Sequence, residues 1–260
     1  MKNIPIRDIT SFSIRDIKEL DMVQALHRHD FYYMLALKKG KGEHAIDFIS
    51  YEVADNMVFF LRPGQVHQLT MKAGSTGYLM SFKNDFYYSP LLRKASLYHT
   101  GTQQLFSILT AILREYTDKQ EAYQKVIQAN LDIFFIELMR QHSQSATNNT
   151  YAQERLEEFL ELLETQITHH KQVSQYADML HLSPYQLNAI TKATLGKTCS
   201  TLINEHIILE AKRYLLATAD QVNQIAWHLG YIDVSYFIRL FKKHTGHSPE
   251  AFRHHFSKVL

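Results

Sequence analysis

The sequence predicts a multidomain α+β protein. A small N-terminal β-sandwich or barrel is followed by a helical hairpin. An all-α C-terminal domain then carries two helix-turn-helix units joined by a long helix. Three observations lead there: a change of hydrophobic period near residue 100, a polar uncharged stretch at 143–150, and one turn motif present twice after residue 170. A chain of 260 residues accommodates about two domains. With 45% apolar and 21% charged residues it is neither disordered nor fibrous. A single cysteine, Cys199, excludes an intrachain disulfide framework and points to a reducing compartment. No run approaches 18 uncharged apolar residues, and charged Arg7 and Asp8 arrive before any apolar signal region could form. A cytoplasmic location with no membrane partner is expected.

The first hundred residues alternate short β-rich runs with turn residues. Residues 31–37, 44–49, 57–61 and 78–82 read as strands, with Lys38-Lys39-Gly40-Lys41-Gly42 and Pro63-Gly64 as turns. From residue 101 the period becomes helical. Leu105, Ile108, Leu109, Ile112, Leu113 and Tyr116 form one stripe, and Ile127, Leu131, Phe134, Phe135 and Leu138 form another. A break near Thr117-Asp118-Lys119 makes the pair a hairpin. Ile133, Ile136 and Met139 give the second helix a further apolar stripe. A helix apolar on two sides needs a second surface to cover it, so residues 101–142 are expected to dimerise the chain through Phe134, Phe135 and Leu138. Residues 143–151 read as a linker.

The C-terminal segment, 152–260, is mildly basic. Residues 171–260 hold ten Lys and Arg against six acids, a net charge of +4. The duplicated motif places Ala177 with Ala226 and Leu180 with Leu229 at an offset of 49. Leu187, Ile190, Lys192 and Gly196 pair with Phe237, Leu240, Lys242 and Gly246 at an offset of 50. Each copy has helix-turn-helix logic over about 173–194 and 222–244. Gly230 supplies the turn residue that tolerates positive φ, and His181 holds that place in the first copy. Ser183 and Asp233 are N-caps, and Pro184 takes the first helical position. Tyr185, Asn188 and Ala189 are left outward in copy one, and Val234, Ser235, Tyr236 and Arg239 in copy two. An uninterrupted helical run at 201–216 joins the copies. About 18 residues span roughly 27 Å, close to the ~34 Å repeat of B-DNA.

Residues 152–257 resemble the DNA-binding domain of the AraC/XylS family of bacterial transcription regulators. The resemblance rests on Leu182-Ser183-Pro184-Tyr185-Gln186-Leu187, Thr194-Leu195-Gly196-Lys197-Thr198, Leu209 through Leu216, and Ile225-Ala226-Trp227-His228-Leu229-Gly230-Tyr231. It rests most on Ser235 through Lys243, Thr245-Gly246-His247-Ser248-Pro249 and Phe252-Arg253. It implies seven helices and a regulator that binds double-stranded DNA. It implies a small-molecule effector, a homodimer and RNA polymerase as further partners. The DNA-binding candidates are Pro184, Tyr185, Asn188, Lys192, Val234, Ser235, Tyr236, Arg239, Lys242 and Lys243. Arg239 matches the family's arginine, while Ala189 stands where unit one would carry its own. Leu209, Ala211 and Leu215 are expected in the core of the joining helix.

The N-terminal domain, residues 1–100, resembles over about residues 10–90 the cupin-like sensing domain common in this family, through His27-Arg28-His29-Asp30-Phe31-Tyr32 and Pro63-Gly64-Gln65-Val66-His67. The ligand-pocket candidates are His29, Phe31, Tyr33 and His67. Enzymatic cupins bind metal with similar histidines, but their pattern also has a Glu after the His-x-His pair and an Asn four residues after the later His. Here Tyr32, Tyr33 and Met71 stand in those places. The sequence therefore predicts no metal, no cofactor and no catalytic residue. The alternative reading is a metal-dependent cupin enzyme fused to a helical DNA-binding domain.

Overall fold

The computed structural model describes residues 6–7, 11–18, 22–95, 97–143 and 150–259. The chain divides into two compact units, one running to Ala146 and one from Thr147 onward. The expected linker at 143–151 falls largely on residues 144–149, outside those described.

The first unit contains β1 (Ile6–Arg7), β2 (Phe12–Lys18), β3 (Met22–His29), β4 (Tyr32–Lys39), β5 (Gly42–Ile46), β6 (Ile49–Val53), β7 (Met57–Leu61), β8 (Val66–Met71) and β9 (Thr76–Phe82). These are followed by α1 (Leu91–Lys94), β10 (Tyr98–Thr100), α2 (Gln103–Asp118) and α3 (Tyr123–Ser143). The strands form two five-stranded sheets, ordered β1-β3-β8-β5-β6 and β10-β7-β4-β9-β2. The pairings are antiparallel apart from β1 with β3.

The second sheet is apolar on both faces, because successive side chains of a strand point to opposite sides. Tyr33, Leu35 and Leu37 of β4, with Phe59 and Leu61 of β7, share one core with Ile46, Val53, Leu69 and Met71 of the first sheet. Met34, Ala36, Val58 and Phe60 face the other way, into a second core with α2 and α3.

That second core corrects the placing of Phe134, Phe135 and Leu138 at a dimer interface. Phe134, Phe135 and Leu138 have no exposed surface. Phe135 packs edge-on to Phe60 at 5.2 Å between centroids and stacks on Tyr87 at 6.0 Å. The outer face of the sheet, through Met34, Val58 and Phe60, covers this stripe. The hairpin itself is present: α2 ends on Lys119 in a left-handed conformation.

A second correction lies at residues 44–49, which are not one strand. β5 and β6 form a hairpin that pairs Ile46 with Ile49, and Asp47 and Phe48 make its two-residue turn at φ 47° and 72°. The Asp47 carboxylate holds this turn by accepting bonds from Gln65 Nε2 at 2.7 Å and Val66 N at 3.2 Å.

The second unit is helical: α4 (Thr150–Gln166), α5 (Val173–Met179), α6 (Pro184–Leu195), α7 (Cys199–Ala217), α8 (Val222–His228), α9 (Val234–Thr245) and α10 (Pro249–Val259). Seven helices are thus present among the described residues of this unit. α7 runs 19 residues without a break. Ala211 and Leu215 are buried in it, while Leu209 is half-buried.

Candidate nucleic-acid interface and buried histidine cluster

The two helix-turn-helix units are built alike, and the repeat extends further than the sequence motif. Gln175 Oε1 accepts from Gln172 N at 3.0 Å ahead of α5, and Gln224 Oε1 accepts from Gln221 N at 2.7 Å ahead of α8. Each bond satisfies an amide at a helix start. Both pairs sit at the offset of 49, so the repeat begins at Gln172. The turns are equivalent too: His181 has φ 54° and Gly230 has φ 74°.

α6 and α9 both have 12 residues and lie 50 positions apart. The Ser183 side chain caps α6 by accepting from Gln186 N, and Asp233 caps α9 by accepting from Tyr236 N at 3.0 Å. Gly196 and Gly246 end the two helices in left-handed conformations. Each helix buries the same two positions, Leu187 and Thr191 in α6 and Phe237 and Phe241 in α9.

Tyr185 is 82% exposed on α6. Pro184, Ala189 and Lys192 are also exposed there. On α9, Ser235, Tyr236, Arg239, Lys242 and Lys243 are exposed and Val234 is half-buried. The Arg239 guanidinium stands 3.8 Å from the Asp233 carboxylate, with both side chains largely in solvent.

Asn188 departs from the expected outward position. It is half-buried, its Nδ2 donates to the Pro184 carbonyl at 3.1 Å, and its Oδ1 accepts from Cys199 N at 3.0 Å. It therefore satisfies the first amide of α7. At the equivalent positions unit two has Ile238 and Pro249. Proline has no N–H to satisfy, so the apolar Ile238 costs that unit nothing.

In the first unit, the pocket candidates His29, Phe31, Tyr33 and His67 come together as a packed cluster. His29 stacks on Tyr33 with centroids 5.2 Å apart and lies 4.2 Å from Phe31. Tyr33 and His67 are 4.9 Å apart. A separate open cleft of about 540 Å³, bordered by Asp16, Lys18, Lys38 and Tyr78, includes none of these four.

Two more imidazoles join the cluster. An irregularity in β3 between Gln24 and His27 sets the phase that turns His27 inward with His29. His27 pairs with His67 across β3 and β8, and His44 comes from β5 on the far side of β8. All four are at most 6% exposed. His67 Nε2 is 2.9 Å from His29 Nε2, and His67 Nδ1 is 2.9 Å from His44 Nε2. His27 Nδ1 lies 2.6 Å from the Ala25 carbonyl, which fixes its proton on Nδ1. Burial, then the neighbouring His27, lowers the His44 pKa to about 3 and keeps it neutral. Sequence reasoning missed His44 because it lay in a segment read as one strand.

Comparison with known proteins agrees with both halves. Residues 21–182 match the AraC-like ligand binding domain family, and residues 176–255 match a helix-turn-helix domain family. The chain is 26% identical over 246 residues to the HTH-type transcriptional activator RhaS of Escherichia fergusonii, covering 87% of this chain and 86% of that protein. It is 34% identical over 93 residues to the bifunctional transcriptional activator/DNA repair enzyme AdaA of Bacillus subtilis. That match covers 36% of this chain, which spans only 44% of AdaA. The crystal structure of unsaturated fatty acid bound ToxT from Vibrio cholerae superposes over 95% of this chain and 96% of its own, at 19% identity and a TM-score of 0.46. The chain belongs to the AraC family of DNA-binding transcription regulators, with an AraC-like ligand binding domain joined to a helix-turn-helix domain.

Proposed function

We propose that α6 and α9 are the two reading helices of this regulator, used unequally. α9 supplies base contacts through Arg239, Ser235 and Tyr236 and phosphate contacts through Lys242 and Lys243. α6 contributes Tyr185 and Lys192. The observation that carries this reading is the matched pair of capped 12-residue helices, each burying the same two positions and exposing the same face. Transcription control without catalysis, in the cytoplasm and with RNA polymerase as partner, completes the reading. An effector bound near His29, Phe31, Tyr33 and His67 would be its input.

The test is DNA binding against salt. Neutralising about four phosphates gives a slope near −3.6, or about a 100-fold loss of affinity between 50 and 200 mM salt. A binding constant flat over that range contradicts the proposal. Among the described residues no helix is long and apolar enough to cross a membrane.

Dimerisation is assigned to the outer face of α3, where Val126, Ile133 and Ile136 are 39%, 51% and 40% exposed. Their spacing places them along one side of the helix. Ile133→Glu with Ile136→Glu is expected to convert a micromolar dimer to a monomer in sedimentation, with the thermal melt unchanged. A monomeric wild-type chain, or a dimer that survives both changes, rules this face out. Phe134→Glu with Phe135→Glu would not serve, because it charges the core of the unit and unfolds it.

A further inference from the structure

We propose that His27, His29 and His67 hold one divalent transition-metal ion through their Nε2 atoms, with His44 bonded behind His67 as the group that fixes its tautomer. The sequence argued against a metal because a carboxylate and a carboxamide were missing from their usual places. The fold supplies another donor set. Three imidazole nitrogens, one each from His27, His29 and His67, lie within 4.8 Å of one another, and all three residues are buried. Ligand atoms on a tetrahedral ion with bonds of 2.0–2.1 Å stand about 3.3 Å apart. The 2.9 Å pair of His29 and His67 therefore opens by a few tenths of an ångström, and the separations to His27, at most 4.8 Å, close by up to about 1.5 Å.

The protons on two of the three rings suit this, and the proton shared in the 2.9 Å contact between His29 Nε2 and His67 Nε2 would move to His29 Nδ1 on metal binding. A ligating imidazole presents a lone pair on one nitrogen and donates its other N–H to a neighbour, which sets ring orientation and basicity. His27 Nδ1–H donates to the Ala25 carbonyl, leaving Nε2 as the ligand atom. His67 Nδ1 faces His44 Nε2, so a proton on His67 Nδ1 donates to His44 and frees His67 Nε2. His44 then carries its own proton on Nδ1, a buried atom with no hydrogen-bond partner among the described residues. Neutral imidazoles with no thiolate suit zinc, copper, nickel or cobalt rather than calcium or magnesium. A cluster at most 6% exposed suits a held ion rather than turnover of a substrate. The ion would link β3 and β8, with His44 on β5 bracing it, across three neighbouring strands of one sheet.

The full-length chain is stripped with chelator, loaded with Zn²⁺ or Co²⁺ and passed through gel filtration before metal analysis. About one equivalent is expected, with the visible absorption of four-coordinate Co²⁺. His29→Gln and His67→Gln each abolish it. His44→Phe, which keeps a ring in place but accepts no hydrogen bond, weakens affinity about 10–100-fold. Thermal melts identify variants that fold. X-ray absorption of the zinc-loaded wild-type chain needs no variant and should report three imidazole nitrogens. Absence of retained metal overturns the proposal, as does X-ray absorption with fewer than three imidazoles. Binding that survives His29→Gln and His67→Gln but is lost in His247→Gln with His255→Gln also overturns it, because those two rings stack at 5.8 Å on the helical unit.

Discussion

Arg239→Ala is expected to remove about 1–3 kcal/mol of discrimination, roughly a 5–150-fold loss, at the base pairs under α9. Lys242→Ala should instead weaken binding to all sequences alike and shallow the salt slope by about one. The difference follows from what each cation meets. A guanidinium pairs with a guanine edge through two bonds, whereas an ammonium on a phosphate carries no base information. Arg239 is exposed and, among the described residues, is held by a 3.8 Å contact with Asp233, so it can turn toward a base. Its equivalent in α6 is Ala189, and the equivalent of Lys243 is Ala193. Tyr185→Ala should therefore cost less specificity than Arg239→Ala. Asn188→Ala should cost about 0.5–2 kcal/mol of stability, the range for losing a helix cap, and no base preference. A base-substitution scan of a selected operator measures all four variants. Unchanged specificity in Arg239→Ala, or equal losses at both half-sites, would sink the unequal-reader model.

The helical unit was legible in the sequence because its signals are local. Ala177, Leu180, Ser183-Pro184 and Gly196, each with a partner 49 or 50 residues on, define caps and turns that need no knowledge of tertiary contacts. Even His181 in a glycine's place was readable. What stayed hidden depends on neighbours distant in sequence. Asn188 looks like a surface residue until Cys199 N is found 3.0 Å from its oxygen. Phe134 and Phe135 look like an interface until the outer face of the second sheet is seen to be as apolar as the inner one. The turn at Asp47-Phe48 lacks the Asn-Gly type of signal that marks two-residue hairpins, so the phase of β5 was lost, and His44 with it. A one-residue shift along a strand exchanges its inward and outward sets. No count of histidines could therefore have placed the fourth beside the other three.

Gly230→Ala is expected to destabilise the helical unit by about 3 kcal/mol, while His181→Ala at the equivalent turn changes stability by no more than about 1. Both residues occupy the left-handed region. That conformation costs a side chain roughly 1–2 kcal/mol, a strain already present at His181 and newly introduced at Gly230. The larger difference is in the surroundings. His181 is exposed. A Cβ on Gly230 would sit 1.9 Å from the Thr168 carbonyl oxygen and 2.6 Å from Lys171 Nζ. The lysine tip can move, but the carbonyl belongs to backbone tied in place by His169 N and His170 N, which donate to the Gln166 carbonyl at 2.9 and 2.8 Å, and by the Tyr176 hydroxyl, which donates to the His170 carbonyl at 2.7 Å. Forcing extra volume into such a contact costs about 1–3 kcal/mol more. The second turn is thus docked on the segment between α4 and α5, and the alanine must push it away. The chain has one tryptophan, Trp227 on α8, so urea unfolding followed by its fluorescence reports this unit without interference from the other. A Gly230→Ala loss within 1 kcal/mol of wild type, or no greater than that of His181→Ala, would show that glycine is required there by neither the backbone nor the Thr168 contact.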